Sequence, residues 1–460
     1  MKKVIVKNPY DKMEISRIDI DDARAVDQKL QTAYALANDR SKWLPVHRRI
    51  EILEKTAAIM QERVDFLTKL AAMEGGKPYR DSKAEVMRAI NGVKLAIEHI
   101  GQMKGTQIPM GQTQASAGRL AFTMREPIGV VVSISAFNHP LNLIIHQTVP
   151  AIAVGAPVII KPASSTPLSC INFVNILREA GLPEEWCQIV ICERGVAEKL
   201  ATDARVNYFS FIGSAKVGWN LRSKLSPGTR CALEHGGVAP VIVTEDANID
   251  KMTAELVKGG FYHAGQVCVS VQKIFVAEKI IQQVTSNLKT AALKLKTGDQ
   301  LDPETHVGPL ITPEEVNRVD EWVQEAIESG AKLVCGGKKL SETCYEPTIL
   351  LNPPEDCHVS KEEIFGPVIC LYSYKNLEEA ILKANSLPFA FQAAVYTRDL
   401  ETALYASEQI NASAVMINDH TAFRVDWMPF GGRDTSGIGV GGIPYSMHEM
   451  TREKLIVIKR

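Results

Sequence analysis

One cysteine of the chain stands in a sequence suited to nucleophilic chemistry. Cys268 closes the segment FYHAGQVC at residues 261–268, three residues after Gly265 and among small, apolar neighbours. A thiolate attacks carbon far better than a thiol does, so a reactive cysteine needs surroundings that lower its pKa and a backbone that allows close approach. An alternative stays open at this point, because any of the nine cysteines could be a small buried apolar side chain.

Further motifs stand around this segment in a fixed order. They are SAFNHP (135–140), KPA (161–163), FIGS (211–214), LEHGG (233–237), EIFGP (363–367) and PFGG (429–432). Together with Phe261, Gly265, Gln266 and Cys268 they resemble the motifs of the aldehyde dehydrogenase superfamily. The resemblance runs over nearly the whole chain. Within the superfamily, the segment 418–427 and residues 441–445 are similar to the branch that handles lactaldehyde, glyceraldehyde 3-phosphate and phosphonate aldehydes.

The resemblance implies a role for each of three residues. Cys268 would attack the aldehyde, Asn138 would donate a hydrogen bond to the resulting oxyanion, and Glu234 would activate the water that releases the acid. Relatives that pass the acyl group to coenzyme A generally lack this glutamate, so hydrolysis to a free acid is favoured over an acylating reaction with coenzyme A or phosphate. The alternatives are a turn-forming Asn138, a surface Glu234, and a catalytically silent relative that serves a structural purpose.

The same resemblance implies a nicotinamide cofactor. Lys161 matches the residue that binds the adenosine ribose, Gly213 and Ser214 open a helix at the expected pyrophosphate contact, and Glu363 and Phe365 match the residues beside the nicotinamide. Relatives that prefer NAD often carry a glutamate three residues after the lysine, where this chain has Ser164. A hydroxyl there would not repel a 2′-phosphate, so we expect NADP to be accepted at least as well as NAD. The alternative is that Ser164 caps the next helix.

The substrate side is predicted from the segment 418–427. Arg424, His420 and His139 would give the substrate funnel a positive rim, which predicts a small and anionic aldehyde. The alternative for Arg424 is a structural ion pair with Asp426 or another acid. The chain also departs from many relatives at two other positions: His263 stands where many have Asn, and His235 stands where they have Leu.

Composition excludes several other classes. Lys+Arg and Asp+Glu number 52 and 53, so the net charge of -1 gives no footprint for nucleic acid. The cysteines show no paired spacing and the histidines no metal-binding spacing, which indicates a reducing, cytoplasmic compartment and no metal site. Residues 1–10 lack the apolar run of a signal peptide. Residues 128–160 carry no charge, but three prolines indicate a strand, a turn, a helix and a strand rather than a membrane span.

The elements that must position these residues are those of an α/β protein. Residues 23–99 have a helical pattern and are interpreted as a scaffold layer, with one long run over 48–70. Apolar runs at 130–132, 158–160, 189–191 and 208–211 alternate with helical segments, which predicts a Rossmann-type parallel sheet, and the helix after Gly213 is expected to reach residue 226. A second α/β half follows over 272–424.

These patterns and the resemblance predict three parts in an aldehyde dehydrogenase-like architecture. They are a dinucleotide-binding domain (1–100 and 127–235), a catalytic domain (236–440) and a small β oligomerisation element (101–126 and 441–460). Exposed strand edges in the last part predict a homodimer or a dimer of dimers.

Overall fold

The computed structural model describes residues 2–459, so the first and last residues of the predicted domain ranges lie outside the described part. The chain alternates helices and strands. The helices, α1 to α15 in order, are Ala23–Asn38, Val46–Glu62, Val64–Gly75, Tyr79–Ile100, Asn142–Val154, Leu168–Glu179, Arg194–Thr202, Ala215–Arg222, Ile249–Phe261, Ile281–Ala292, Pro313–Glu328, His358–Lys361, Leu377–Ala384, Leu400–Gln409 and Ile443–Glu449.

The strands are mostly short. In order, β1 to β20 are Lys3–Lys7, Glu14–Asp19, Gln107–Ile108, Arg119–Pro127, Val131–Ile134, Val158–Lys161, Cys187–Ile189, Tyr208–Ile212, Arg230–Glu234, Val241–Val243, Lys273–Ala277, Lys332–Cys335, Thr348–Leu351, Val368–Tyr374, Phe389–Ala390, Gln392–Tyr396, Ala414–Ile417, Arg433–Asp434, Gly437–Ile438 and Thr451–Lys459.

A first sheet carries the motifs of the N-terminal half. Within residues 2–459 it has six strands in the order β19-β9-β8-β5-β6-β7, parallel except for β19. Successive residues of β6 point to opposite faces: Val158 and Ile160 join the core under α2, α4, α5 and α6, whereas Ile159 joins the core under α1 and α7. Burial on both faces explains why these strands are continuous apolar runs.

A second sheet carries the C-terminal half. Over the described range it has seven strands in the order β12-β13-β14-β11-β10-β16-β17, parallel except for the edge strand β12. The chain passes from β9 of the first sheet to β10 of the second across Glu234 to Val241, so the loop that connects the sheets begins at the predicted base. The predicted α/β architecture with two sheets is therefore confirmed.

A third sheet stands apart from both. It has the order β20-β4-β3, and β20 pairs antiparallel with β4 from Thr451↔Pro127 to Lys459↔Arg119. Leu455 and Val457 of β20 are 57% and 48% exposed. These are the strands that the sequence predicted to be exposed at 101–126 and 441–460.

Several predicted bounds differ from the structure. The run 48–70 is two helices, because the chain turns at Arg63 between α2 and α3, and the helix after Gly213 ends at Arg222. The strand expected at 189–191 lies at Cys187–Ile189. Residues 128–160 do form a strand, a turn, a helix and a strand, and none of the helices described is long and apolar enough to cross a bilayer.

Candidate active site

One cavity of about 760 Å³ lies between the two sheets. The carboxyl ends of β5, β8 and β9 open into it, as expected for ligand sites of parallel sheets. The predicted site residues on its wall are Asn138, His139, Gly213, Ser214, Glu234, Cys268, Glu363, Phe365, His420 and Arg424. The structure thus brings together ten residues from distant parts of the sequence.

The segment before Cys268 has an unusual backbone. His263, Ala264 and Gly265 follow α9 with φ values of 49°, 53° and 72°, so the turn is left-handed over three residues. Only glycine adopts this region without strain, and a methyl group on Gly265 would lie 2.0 Å from the carbonyl oxygen of Gly366. The turn re-aims the chain out of α9 towards the cavity, which is where strained backbone concentrates in enzymes.

Gln266 anchors this turn from below. Its Oε1 accepts the backbone N–H of Ile311 at 2.9 Å, and its Nε2 donates to the carbonyl of Pro309 at 3.2 Å. Its own backbone carbonyl accepts a 2.9 Å hydrogen bond from Asn138 Nδ2. The side chain of Asn138, which is buried, is thereby fixed next to the segment that carries Cys268.

Cys268 and Glu234 are in contact on the wall of the cavity. The Cys268 Sγ lies 3.7 Å from Glu234 Oε1, within reach of a sulfur hydrogen bond. Burial, and then the negative charge of Glu234, raise the pKa of the Cys268 thiol well above its usual range. Burial also raises the pKa of Glu234, against the opposing positive charge of Arg424. The free site therefore disfavours the thiolate of Cys268, and this thiol needs a base to take its proton.

Arg424 does not form the predicted alternative pair with Asp426. The Asp426 carboxylate accepts from Arg88 Nη2 at 2.7 Å and Arg88 Nε at 3.1 Å, and from His146 Nε2 at 2.8 Å. Arg424 instead lies over the Phe430 ring at 3.5 Å, with its Nη2 3.4 Å from His146 Nδ1. Within the described residues its buried Nε has no hydrogen-bond partner. Arg424 is thus a cation in the cavity wall whose donors are largely unused.

His146 connects the Asp426–Arg88 pair to Arg424. Burial and then the charge of Arg424 lower the pKa of His146 to about 4, so the ring is neutral near pH 7. A neutral ring that donates from Nε2 to Asp426 leaves Nδ1 as an acceptor for Arg424. Arg88 lines the same cavity, a position that the interpretation of residues 23–99 as scaffold missed.

The two histidines on the cavity wall do not supply the predicted positive charge. Burial lowers the pKa of His139 well below its usual range and also lowers the pKa of His420. The positive charge of Lys77 lowers the pKa of His139 further, whereas the negative charge of Asp419 opposes the shift at His420, so the cavity wall disfavours a charge on either ring. Positive charge at the substrate side comes instead from Arg424, with Arg88 and Lys258 also on the wall.

The opposite end of the cavity is lined by the residues expected to meet the cofactor. Ser214 is the N-cap of α8, and the ring of Phe365 packs edge-on against Phe137 at 5.9 Å. The Oε1 of Glu363 is buried and accepts no hydrogen bond from any described residue, and burial raises the pKa of this carboxyl to about 8. A methyl group on Gly236 would lie 1.6 Å from Glu363 Oε1, so glycine is required beside this carboxyl.

A sequence profile of the aldehyde dehydrogenase family matches residues 1–456. The chain belongs to the aldehyde dehydrogenase family. It is 36% identical over 459 residues to 3-sulfolactaldehyde dehydrogenase of Priestia aryabhattai, covering 99% of this chain and 95% of the relative. It is 37% identical over 460 residues to lactaldehyde dehydrogenase of Methanocaldococcus jannaschii, covering 99% and 97%.

A solved structure agrees over the full length. The crystal structure of glyceraldehyde-3-phosphate dehydrogenase GapN from Methanocaldococcus jannaschii, complexed with NADP, matches with a TM-score of 0.95 and 36% identity, covering 100% of both chains. The predicted family, the predicted branches for lactaldehyde and glyceraldehyde 3-phosphate, and the predicted fold of an aldehyde dehydrogenase are confirmed. The chain is an oxidoreductase of this family.

Two predicted cofactor residues of this aldehyde dehydrogenase do not line the cavity. Lys161 ends β6 with its Nζ donating to the carbonyl of Pro162 at 3.2 Å, and the loop after it reaches the cavity through Ala163. Ser164 is exposed in this loop. The alternative role of Ser164 as a helix cap is wrong, because α6 begins at Leu168 with Pro167 as its N-cap.

His235 and His263, the two histidines at which this aldehyde dehydrogenase departs from many relatives, are both buried. His235 Nδ1 donates to the carbonyl of Gly213 at 2.7 Å, and its ring lies against Gly218, where a methyl group would approach to 2.1 Å. His263 is fully buried at 6.4 Å from the His139 ring, and within residues 2–459 neither ring nitrogen has a partner. Among the described residues, no group of three His, Cys, Asp or Glu side chains could hold a metal ion.

Proposed function

We propose that this aldehyde dehydrogenase oxidises a small anionic aldehyde to its carboxylic acid, with NADP or NAD as cofactor, through a thiohemiacetal and a thioester on Cys268. The observation that carries the proposal is the 3.7 Å contact between Cys268 Sγ and Glu234 Oε1 on the wall of a cavity that continues to Glu363. A nucleophile, a base and a carboxyl suited to a ribose face the same space.

Acylation begins with attack of Cys268 on the aldehyde carbon. The Sγ–C bond forms while the carbonyl electron pair moves to oxygen, and the thiol proton leaves for Glu234 Oε1, 3.7 Å away. One Nδ2 hydrogen of Asn138 is used in the bond to the Gln266 carbonyl, and this bond fixes the amide plane so that the other can serve the oxyanion. A donor of this kind typically contributes ~10²–10³ in rate.

The residues at the far end of the cavity fit a nicotinamide cofactor. When bound, the nicotinamide accepts the hydride that turns the thiohemiacetal into a thioester. The unpartnered Oε1 of Glu363 is an acceptor suited to a ribose hydroxyl, and the start of α8 behind Gly213 offers N–H groups to a pyrophosphate. The absence of a side chain on Gly236 lets the Glu363 carboxyl stand at this end of the cavity.

Deacylation is assigned to the same glutamate. After Glu234 has released the thiol proton to solvent, it removes a proton from water, the water oxygen bonds to the thioester carbon, and the C–S bond breaks with the proton returned to sulfur. Burial raises the pKa of Glu234, which makes its carboxylate a better base near neutral pH than an exposed one. An acylating reaction would need coenzyme A or phosphate in place of this water, and a carboxylate beside the thioester supports water.

Arg424 supports an anionic substrate. Its guanidinium is half-buried in the wall of the cavity, close enough to Glu234 and Cys268 for its charge to lower the pKa of both. Because Asp426 is occupied by Arg88 and His146, Arg424 keeps donors free for a phosphate, sulfonate or carboxylate. Two of the three relatives above are named for aldehydes with such a group, and the third is named for lactaldehyde, which has none, so the proposal rests on Arg424.

Matched substrate pairs test this function. Purified protein with NADP⁺ or NAD⁺ would be given 3-sulfolactaldehyde against lactaldehyde, and glyceraldehyde 3-phosphate against glyceraldehyde, while the absorbance of the reduced nicotinamide is followed. We expect turnover without coenzyme A or phosphate, higher kcat/KM for the anionic member of each pair, and no turnover in Cys268→Ala. Turnover that requires coenzyme A or phosphate would identify an acylating enzyme, and none with any aldehyde would identify a silent relative.

Assembly and division into domains belong to the same proposal. We propose a homo-oligomer formed through β4 and β20, whose apolar side chains are exposed on one subunit. The six-stranded sheet would belong to a dinucleotide-binding domain (1–100 and 127–235) and the seven-stranded sheet to a catalytic domain (236–440). Nine cysteines without a disulfide support a reducing compartment such as the cytoplasm.

A further inference from the structure

Two helices begin directly behind loops of the proposed active site, and neither is capped by its own sequence. α5 begins behind Leu141, three residues after Asn138, and α6 begins behind Pro167, at the end of the loop that follows Lys161. The first N–H groups of a helix have no intrahelical acceptor. Neither Leu nor Pro has a side chain that can accept them.

Glutamates from another part of the chain supply both caps. Glu85 Oε1 accepts the N–H groups of Leu141 at 2.9 Å and Asn142 at 3.0 Å. Glu74 accepts the N–H groups of Leu168 and Ser169, each at 2.7 Å. The two glutamates are 2% and 0% exposed. A buried carboxylate held by two N–H groups at a positive helix end is a strong and directional contact.

Both glutamates stand on one structural unit, the end of α3 and the start of α4 at residues 74–85, which we call the α3–α4 corner. Between them the buried Lys77 donates to Glu85 Oε2 and lies 5.8 Å from the Tyr262 ring, in the segment before Cys268. The corner also packs on the loop of Asn138, since a methyl group on Gly75 would lie 3.6 Å from Pro140 Cγ. The α3–α4 corner thus contacts both the loop that carries Asn138 and the segment that leads to Cys268.

We propose that Glu85 and Glu74 are positioning residues with separate effects: Glu85 holds Asn138 in place for the oxyanion, and Glu74 holds the loop 162–167 in place for the cofactor. The inference rests on the proposed function, because it presupposes the roles of Asn138 and of the cofactor end of the cavity. It assigns to the α3–α4 corner a part in catalysis that a purely structural layer would not have.

The separation follows from the fold. The two loops leave adjacent parallel strands, β5 and β6, but each is tied to the corner by its own carboxylate. Pro140 has a fixed φ, so a shift of Leu141 is passed on to Asn138 with little slack. A misplacement of about 1 Å in a catalytic group can cost ~10² in rate.

The experiment compares Glu85→Gln with the matched variant Glu74→Gln. For Glu85→Gln we expect the burst of reduced nicotinamide at saturating cofactor to slow by about 10- to 100-fold, with the Kd of NADP within about threefold of the parent. For Glu74→Gln we expect the reverse, with the Kd of NADP raised by about tenfold and the burst at saturating cofactor within about twofold. The Kd is read from tryptophan fluorescence without aldehyde. Equal losses of both quantities in both variants would overturn the proposal.

A double-mutant cycle with Asn138→Ala tests the route of the effect. If Glu85 acts through Asn138, Glu85→Gln slows the burst by less than about twofold when Asn138 is already Ala. Full additivity would overturn the inference. If Asn138→Ala alone left the burst unchanged, the proposed function of Asn138 would be at fault instead. Should Glu85→Gln not fold because Lys77 is left unpaired, Lys77→Met/Glu85→Gln removes both charges and the same comparison is made.

Discussion

The carboxylate that lies 3.7 Å from the thiol of Cys268 opposes, by its charge, the thiolate it is expected to assist. Replacing Glu234 with Gln removes that charge, so the pKa of the thiol falls and its proton can pass to water instead of to Glu234. Acylation therefore survives, whereas hydrolysis loses its base. We expect one stoichiometric burst of reduced nicotinamide followed by turnover slowed by ~10²–10⁴. Stopped-flow absorbance measures both phases. A missing burst would mean that Glu234 is needed before hydride transfer.

The proposed preference for an anionic aldehyde depends on Arg424. Arg424→Leu removes the guanidinium that lies over Phe430 and leaves an apolar side chain, so we expect the KM for 3-sulfolactaldehyde to rise by about 10- to 100-fold and that for lactaldehyde to change by less than about twofold. Arg424→Lys, which keeps the charge without the planar fork, should fall between the two. Steady-state kinetics on both substrates check the outcome. Equal effects on both would reduce Arg424 to a structural role.

Glu363 gives the cofactor end a dependence on pH. Burial raises its pKa to about 8, so in the free enzyme the carboxyl is protonated below this pH and ionised above it. Only the ionised form accepts hydrogen bonds with both oxygens. We therefore expect the affinity for NADP to increase by about tenfold as the pH rises from 7 to 9. Titration of tryptophan fluorescence at each pH measures this, and Glu363→Gln should show a flat profile. A profile that persists in the Gln variant would assign the titration to another group.

At the scale of elements, the proposed acceptance of NADP depends on the loop between β6 and α6. Ser164 is exposed in this loop and has no capping duty, so its replacement leaves the start of α6 intact. We expect Ser164→Glu to lower kcat/KM for NADP by at least about tenfold through repulsion of the 2′-phosphate and to spare NAD. Ser164→Ala serves as the uncharged control. An equal loss with both cofactors would point to a disturbed loop.

The same loop marks how far sequence patterns reach. Val158–Lys161 was predictable because a strand buried on both faces must be an apolar run. The cap of α6 by Glu74 was not, since the partners are 94 residues apart and no local pattern records the contact. Arg88 was missed for a related reason. A helical period shows which face is buried, but it does not distinguish a polar side chain in solvent from one in a cavity.

Sequence motifs predicted more of the candidate site than the hydrophobic periodicity did. Cys268, Glu234 and Asn138 were found because their neighbours resemble a family, and the fold brings them to one cavity. The charge of His139 and His420 could not be read in this way, because it depends on burial in three dimensions. The three-residue strand Val241–Val243 is likewise too short for any period to reveal.

At the scale of the whole molecule, the sheet β20-β4-β3 is the part that one subunit leaves uncovered. Leu455 and Val457 alternate on the exposed edge strand β20, which favours pairing with another copy. We expect light scattering at micromolar concentration to report a dimer or tetramer. The double variant Leu455→Lys/Val457→Lys should shift it towards monomer. A parent protein that is monomeric at this concentration would contradict the proposed assembly.

The protonated state of the centre also bears on how long the protein lasts. Peroxides attack thiolates, and oxidation beyond the first step is irreversible for most cysteines. Burial and the charge of Glu234 keep Cys268 in its thiol form while the cavity waits for substrate. The same arrangement that makes the nucleophile depend on a base would therefore slow its reaction with oxidants between turnovers, when no aldehyde is bound.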